Sequence, residues 1–283
     1  ISALTYSVFV TPGMVQDPEG PSGADPRLEA TAELLAGVLG REKEEIREAI
    51  TTNANRFRIA KYLPKEKADV LKEAGVAGVD LQEDVKRYYP LGAFASHVLG
   101  NVTDDNRGIV GIEQRYNLVL GGTPGRWIKN VDVRGNSLSY GLEKYYEPEN
   151  GLSLKLTIDE VIQHYTEKAL ENAMVKTQSK RGYAIVMETT TGEILAMAVN
   201  PEYDPNNARV PLNPEEATYV ESLPDEEKIA YWNNMWRNPM ISDTFEPGST
   251  FKLLTEAMAL EEGLAHPEEH FFCTGYANVA GVI

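Results

Sequence analysis

Ser249 and Lys252 stand three residues apart, just after a Pro-Gly turn, in the run Glu246-Pro247-Gly248-Ser249-Thr250-Phe251-Lys252. A serine alcohol is a poor nucleophile at neutral pH until a neighbouring base takes its proton. Residues three apart share a helical face, so the Lys252 amine can reach Ser249 Oγ. Pro247 and Gly248 favour a turn, which predicts Ser249 in the first turn of the helix that follows. There the helix dipole favours negative charge on the hydroxyl and disfavours charge on the lysine, and both effects promote proton transfer. Of the eleven serines, only Ser249 has a lysine three residues on. The bare tetrad also fits a serine-capped helix start with a solvated lysine; the residues around it decide between the two.

The elements that must position this pair can be read outward from it. After Lys252, Leu253 to Gly263 reads as a helix with an apolar stripe and a glycine stop, and burial of that stripe would hold Ser249 and Lys252 rigidly. Trp232 and Trp236, four apart, form a helical apolar face suited to core packing. Tyr183 to Met187 and Glu193 to Val199 are two apolar strands around Thr189-Thr190-Thr191-Gly192, a hairpin. Before them, Thr157-Ile158-Asp159-Glu160 fits a capping box with Thr157 as cap. The helix it opens carries Ile158, Val161, Ile162, Tyr165, Ala169, Ala173 and Met174 on one core-facing stripe.

A charged turn, Glu147-Pro148-Glu149-Asn150-Gly151, predicts a boundary between two domains, 1–150 and 151–283. In the first, Leu4 to Val10 is strand-like, and Asp25-Pro26 opens a helix that stops at Gly40. A charged helix covers about Glu42 to Ile50 and another runs from Pro64 to Ala74, ending at Gly75. Arg56 to Ala60 and Val79 to Arg87 read as strands. The chain starts at Ile1, without Met, which suggests a piece cut from something longer with any signal or anchor removed.

Composition narrows the function classes. The chain has 283 residues, 42% hydrophobic and 25% charged, ordinary for a folded protein of two domains. A net charge of −16 argues against nucleic acid as partner. The single cysteine, Cys273, excludes an internal disulfide framework and reads as a buried structural thiol. His266 and His270 are four apart, but Pro267 between them and the lack of further ligands point to a surface turn. No metal and no cofactor are predicted.

Phe245-Glu246-Pro247-Gly248-Ser249-Thr250-Phe251-Lys252 closely resembles the (Y/F)EPGS(T/V)(F/M)K box of class B penicillin-binding proteins, the cell-wall transpeptidases, whose S-x-x-K motif supplies nucleophile and base. Arg87-Tyr88-Tyr89-Pro90, His97-Val98-Leu99-Gly100 and Arg107-Gly108-Ile109-Val110-Gly111-Ile112-Glu113 with Tyr116 resemble the series in that family's pedestal, or dimerisation, domain. These read as structural residues, with Arg107 and Glu113 as an ion pair and the tyrosines packed at an interface. Leu156-Thr157-Ile158-Asp159, Asn200-Pro201, Asp204-Pro205-Asn206 and Arg237-Asn238 are similar to stretches leading to the active-site helix. The resemblance implies an α+β fold: a pedestal, then the first part of a β-lactamase-like transpeptidase domain with an antiparallel sheet and helices. It also implies peptidoglycan D,D-transpeptidation, with Ser249 as nucleophile and Lys252 as general base. The implied partners are stem peptides ending in D-Ala-D-Ala, β-lactams, and wall-synthesis or divisome-type membrane proteins; the pedestal allows a homodimer. The implied location is the outer face of the cell membrane, held by an N-terminal transmembrane helix.

No S-x-N and no K-T-G occurs in the chain, and the family's N-terminal R-G-x-I-x-D-R-x-G segment is absent too. The chain stops in a strand-like run, Ala277 to Ile283, so it reads as the front of a longer molecule with an incomplete active site. Two rivals stand beside the transpeptidase reading. One is a β-lactamase or β-lactam-sensor relative; the other is a non-catalytic pedestal fragment that docks or dimerises.

Overall fold

The computed structural model describes residues 1–16, 25–130, 143–270, 272 and 275. Cys273 and the strand-like run from Ala277 to Ile283 lie outside them. The chain falls into two compact units, Ile1–Pro239 and Met240–Ile283.

The first unit opens with the strand β1 (Ser2–Val10), which is the middle of a three-stranded antiparallel sheet with β2 (Phe57–Leu63) and β3 (Val79–Arg87). β1 pairs with β3 without interruption, from Ser2 opposite Arg87 to Val10 opposite Val79. Strand alternation sends Tyr6, Val8 and Val10 to one face, where they are buried. Three helices cover that face: α1 (Pro26–Leu39), α2 (Lys43–Thr52) and α3 (Lys65–Ala74). Leu35, Ile46, Ile50 and Leu71 complete the core. Each such side chain removed from water contributes about 2 kcal/mol.

The helix limits follow from their end residues. The Asp25 carboxylate accepts from the N–H groups of Arg27 and Leu28 at 3.0 and 3.3 Å, as a cap should. Gly40 and Gly75 close α1 and α3 at φ +69° and +56°, a region open to glycine.

After β3 the chain makes three short helical turns, Ser96–Leu99, Gly111–Arg115 and Asn117–Leu120, and β4 (Arg126–Lys129) pairs antiparallel with β5 (Glu143–Tyr146). Next comes α4 (Glu160–Thr177), packed on the hairpin of β6 (Gly182–Met187) and β7 (Ile194–Asn200). The expected hairpin is present, turning through Gly192 at φ +76°.

α4 departs from expectation in two ways. Its cap is Asp159, which accepts from Val161 and Ile162 N–H, both at 2.9 Å. Thr157 instead donates its hydroxyl to the Ile194 carbonyl at 2.7 Å, tying the entry of α4 to β7. A carboxylate meets the helix dipole with full charge, which a hydroxyl cannot do. The buried stripe is also rotated. Ile162, Gln163, Leu170 and Met174 face inward, while Val161 and Tyr165 are 62% and 67% exposed. The cause is Gln163, fully buried, whose amide accepts from Met197 N at 2.7 Å and donates to Met197 O at 3.1 Å. That pair of bonds fixes which face of α4 meets β7.

α5 (Pro214–Ser222) and α6 (Asp225–Trp236) complete this unit. Trp232 and Trp236 stack at 6.3 Å, and their indole N–H groups donate to the carbonyls of Arg209 and Ala208. Trp236 is buried, so the expected packing role holds there.

The second unit is built on a 3₁₀ turn, Gly248–Thr250, that runs directly into α7 (Phe251–Glu261). α7 stops at Gly263, φ +65°, with Leu264 N–H bonded back to Ala259 O at 2.8 Å. The antiparallel sheets with helices make the fold α+β, as the sequence implied.

Candidate functional site

Gly248, at φ +53°, turns the chain into the 3₁₀ segment that carries Ser249. Thr250 holds this turn: its hydroxyl donates to Pro247 O at 2.5 Å and its N–H to the same oxygen at 3.2 Å. Ser249 therefore lies just before α7, and Lys252 is the second residue of α7. Residues three apart on a helix are neighbours on its surface, and the pair spans the step from the turn into α7. Both are exposed, and among the described residues no hydrogen bond joins them. The expected burial of the helix behind them is not found. Leu253 and Leu254 are 75% and 57% exposed, and no residue of α7 is buried. Among the described residues of this unit there is no strand on which its stripe can pack.

The residues singled out between 87 and 116 come together in the first unit. Arg87 Nε donates to Glu113 Oε1 at 2.6 Å, and the Tyr89 hydroxyl donates to the same oxygen at 3.2 Å. Glu113 is only 6% exposed. The expected Arg107–Glu113 pair is therefore replaced by Arg87–Glu113: the turn Gly111–Arg115 carries Glu113 to the end of β3, where Arg87 stands. Tyr89 packs inside the fold, whereas Tyr88 and Tyr116 are exposed. Burial, and then the Glu113 charge, push the Tyr89 phenol well above the usual range.

This cluster reaches across to the segment after β7. Asn206 Oδ1 accepts from Tyr89 N–H at 2.9 Å and its Nδ2 donates to Tyr89 O at 2.8 Å, so the side chain imitates a strand pairing. Tyr203, fully buried, donates its hydroxyl to Ser96 O at 3.2 Å and meets the His97 ring edge-on at 5.2 Å. His97 Nε2 lies 3.1 Å from Met235 O, and Asn238 Nδ2 donates to His97 O at 3.4 Å. Burial pulls the His97 pKa down to about 4. The three sequence stretches around 87–116, 200–206 and 235–238 are thus one bonded junction. Gln163 and Glu202, which shape its neighbourhood, carry no sequence signal: each looks like an ordinary polar helix or loop residue.

Among the described residues no three His, Cys, Asp or Glu side chains converge as metal ligands, and no helix is long and apolar enough to cross a membrane.

Two family models match. The penicillin-binding protein dimerisation domain covers residues 2–156, more than half of the chain, and the penicillin binding protein transpeptidase domain covers residues 182–282. Stage V sporulation protein D of Bacillus subtilis (strain 168) is 33% identical over 97% of this chain and 39% of its own length. Peptidoglycan D,D-transpeptidase FtsI of Escherichia coli (strain K12) is 31% identical over 93% of this chain and 41% of its own length. The chain therefore spans about 40% of the length of these relatives. The structure of a peptidoglycan synthetase from Bifidobacterium adolescentis superposes with a TM-score of 0.59 at 26% identity, covering 97% of this chain and 50% of that one. A penicillin-binding protein (PBP2) in complex with MreC from Helicobacter pylori gives 0.59 at 24% identity over 95% of this chain and 50% of that one, which speaks to the fold alone.

Proposed function

The chain belongs to the class B penicillin-binding proteins, and on that premise we propose that it is the pedestal (1–150) and the first part of the transpeptidase domain (151–283) of a peptidoglycan D,D-transpeptidase. The observation that supports this reading is that Ser249 lies in the turn Gly248–Thr250 and Lys252 three residues on, as the second residue of α7. The neutral Lys252 amine takes the proton of Ser249, and Oγ attacks the carbonyl carbon of the penultimate D-Ala of a stem peptide. The amide C–N bond breaks, and the terminal D-Ala leaves as an amine carrying that proton. An amine of a neighbouring stem peptide then attacks the Ser249 ester; its C–O bond breaks, the hydroxyl is restored and a cross-link is made. One oxyanion donor is the Ser249 backbone N–H, at the positive end of α7. These 283 residues contain neither an S-x-N nor a K-T-G.

β-Lactams, as mimics of D-Ala-D-Ala, stop at the ester. An outward-facing enzyme with an N-terminal anchor, working beside other membrane proteins of wall synthesis, fits the same reading, as does pairing through the pedestal.

Intact-protein mass spectrometry with benzylpenicillin, on the natural gene product, tests the proposal. An adduct of the penicillin's mass is expected. It should vanish in Ser249→Ala and form on the order of a hundredfold or more slowly in Lys252→Ala. A wild-type protein with S-x-N and K-T-G in place that stays unmodified overturns it, as does an adduct that survives Ser249→Ala.

A further inference from the structure

Between the turn at 91–94 and α4 runs an open groove of about 560 Å³, with Leu91 and Phe94 on one side and Val161 and Tyr165 on the other. Leu91, Val161 and Tyr165 are each more than half exposed. At one end the groove continues into a second hollow of about 380 Å³. His164, Glu167 and Glu202 line both, and Glu171, Lys168 and Asn200 are added there. An apolar trough thus leads into a pocket walled by carboxylates.

Those carboxylates lack counter-ions. Among the described residues Glu167, Glu171 and Glu202 enter no ion pair, and Lys168 is the one cation of the hollow. Glu167 is held in place by Ala95 N–H at 2.9 Å and Gln163 Nε2 at 2.7 Å, both pointing to its Oε1. Glu202 is turned inward against Glu167 and Glu171; burial first, and then those two charges, raise its pKa to about 7. Three like charges around one hollow attract a cation strongly and repel nucleic acid or an anionic lipid surface. The apolar trough beside them needs an apolar side chain next to that cation.

We propose that this groove docks a segment of a partner protein in which a lysine or arginine stands beside a large aliphatic or aromatic residue. The apolar side chain fills the trough between Leu91, Phe94, Val161 and Tyr165, and the cation enters the carboxylate hollow. The site lies wholly within the first unit and does not depend on the transpeptidase reading.

The groups facing Glu202 also give the site a pH dependence. α4 presents Glu160, Glu167, Glu171, His164 and Lys168, and the 91–94 turn presents no titratable group. A cation binds the ionised carboxylate, so affinity rises with pH as Glu202 gives up its proton, between about pH 6 and 8.

Fluorescence anisotropy with a dye-labelled peptide alternating lysine and leucine, and ending in tyrosine, tests this on the whole chain. Saturable binding is expected, weakened about tenfold by Tyr165→Ser with Val161→Ser and by Glu171→Gln with Glu202→Gln. Glu48→Gln, on α2, should leave it unchanged. Raising the pH from 6 to 8 should tighten binding several-fold in the wild type and in His164→Gln, but not in Glu202→Gln. Circular dichroism melts confirm that each variant is folded. Equal weakening by Glu48→Gln would mean attraction to the acidic surface at large and would overturn the site. Complete displacement by spermine, or equal binding of a peptide with glutamate in place of lysine, would overturn the paired recognition. A wild-type protein that does not bind the lysine peptide at all would overturn the proposal too.

Discussion

At the scale of single residues, Nε2 of His97 faces the Met235 carbonyl oxygen at 3.1 Å, and a carbonyl can only accept, so the neutral ring carries its proton on Nε2. A second proton would have to sit in a site that is 6% exposed, which is why the pKa falls from 6.5 to about 4. The unfolded chain therefore binds that proton more readily than the folded one. The stability tied to neutral His97 is complete above pH 6.5 and is lost as pH falls towards 4. Denaturant unfolding at pH 7 and pH 4.5 should show the wild type losing about 2–3 kcal/mol more than His97→Gln, at about 1.4 kcal/mol per pH unit; equal losses would remove the argument. Arg87 and Glu113 give a second residue-scale test. Arg87→Ala strands a buried carboxylate and should cost about 3 kcal/mol of unfolding free energy. Arg87→Met with Glu113→Leu should recover most of it, because no lone charge remains; a double variant as unstable as Arg87→Ala would refute this. The spacing of Ser249 and Lys252 is legible in the sequence, since it is local. It could not choose Arg87 over Arg107 for Glu113, because that choice depends on where the turn Gly111–Arg115 meets β3.

At the scale of elements, legibility follows whether an element's limits are local. α1 could be read from end to end because Asp25, Pro26 and Gly40 act on their own neighbours. α4 could not, because Thr157 and Asp159 both offer caps and the choice rests on β7, where Thr157 meets Ile194 and Gln163 meets Met197. Glycines that look like punctuation in the sequence turn out to be close approaches. A Cβ on Gly100 would stand 1.9 Å from Val110 O, and its φ is +79°. Both the clash and the backbone geometry exclude alanine there. Gly100→Ala should therefore push apart the turns Ser96–Leu99 and Gly111–Arg115, which carry His97 and Glu113. The cost should be at least about 3 kcal/mol, a strained conformation plus an overpacked contact. Gly37→Ala, in α1 with open space around it, should be neutral or slightly stabilising. Thermal melts of the two variants compare them directly; a Gly100→Ala protein as stable as wild type would show that the two turns do not meet as described.

At the scale of the whole molecule, the two units differ in what holds them together. In the first, Val8, Val10, Ile46 and Ile50 are fully removed from water around a sheet covered by three helices. In the second, α7 has eleven residues, and Leu253, Leu254 and Met258 are all more than half exposed. An isolated helix of that length is marginal in water, since its stability comes mainly from packing an apolar face. The spacing of Ser249 and Lys252 thus rests in this chain on the Pro247–Thr250 turn rather than on a packed core. Amide hydrogen exchange makes the difference measurable. Peptides from β1 and α1 should stay protected up to the global unfolding free energy, while those covering 251–261 should exchange at close to the unprotected rate, their opening free energy near zero. A hydrophobic dye should bind the wild type, and Leu253→Ser with Leu254→Ser should lower its fluorescence without changing the melting of the first unit. If α7 proves as protected as β1, its stripe is covered in solution. The serine and lysine are then held as firmly as the junction around His97. If α7 is open, the near-attack geometry of Ser249 is only one of many that the turn samples.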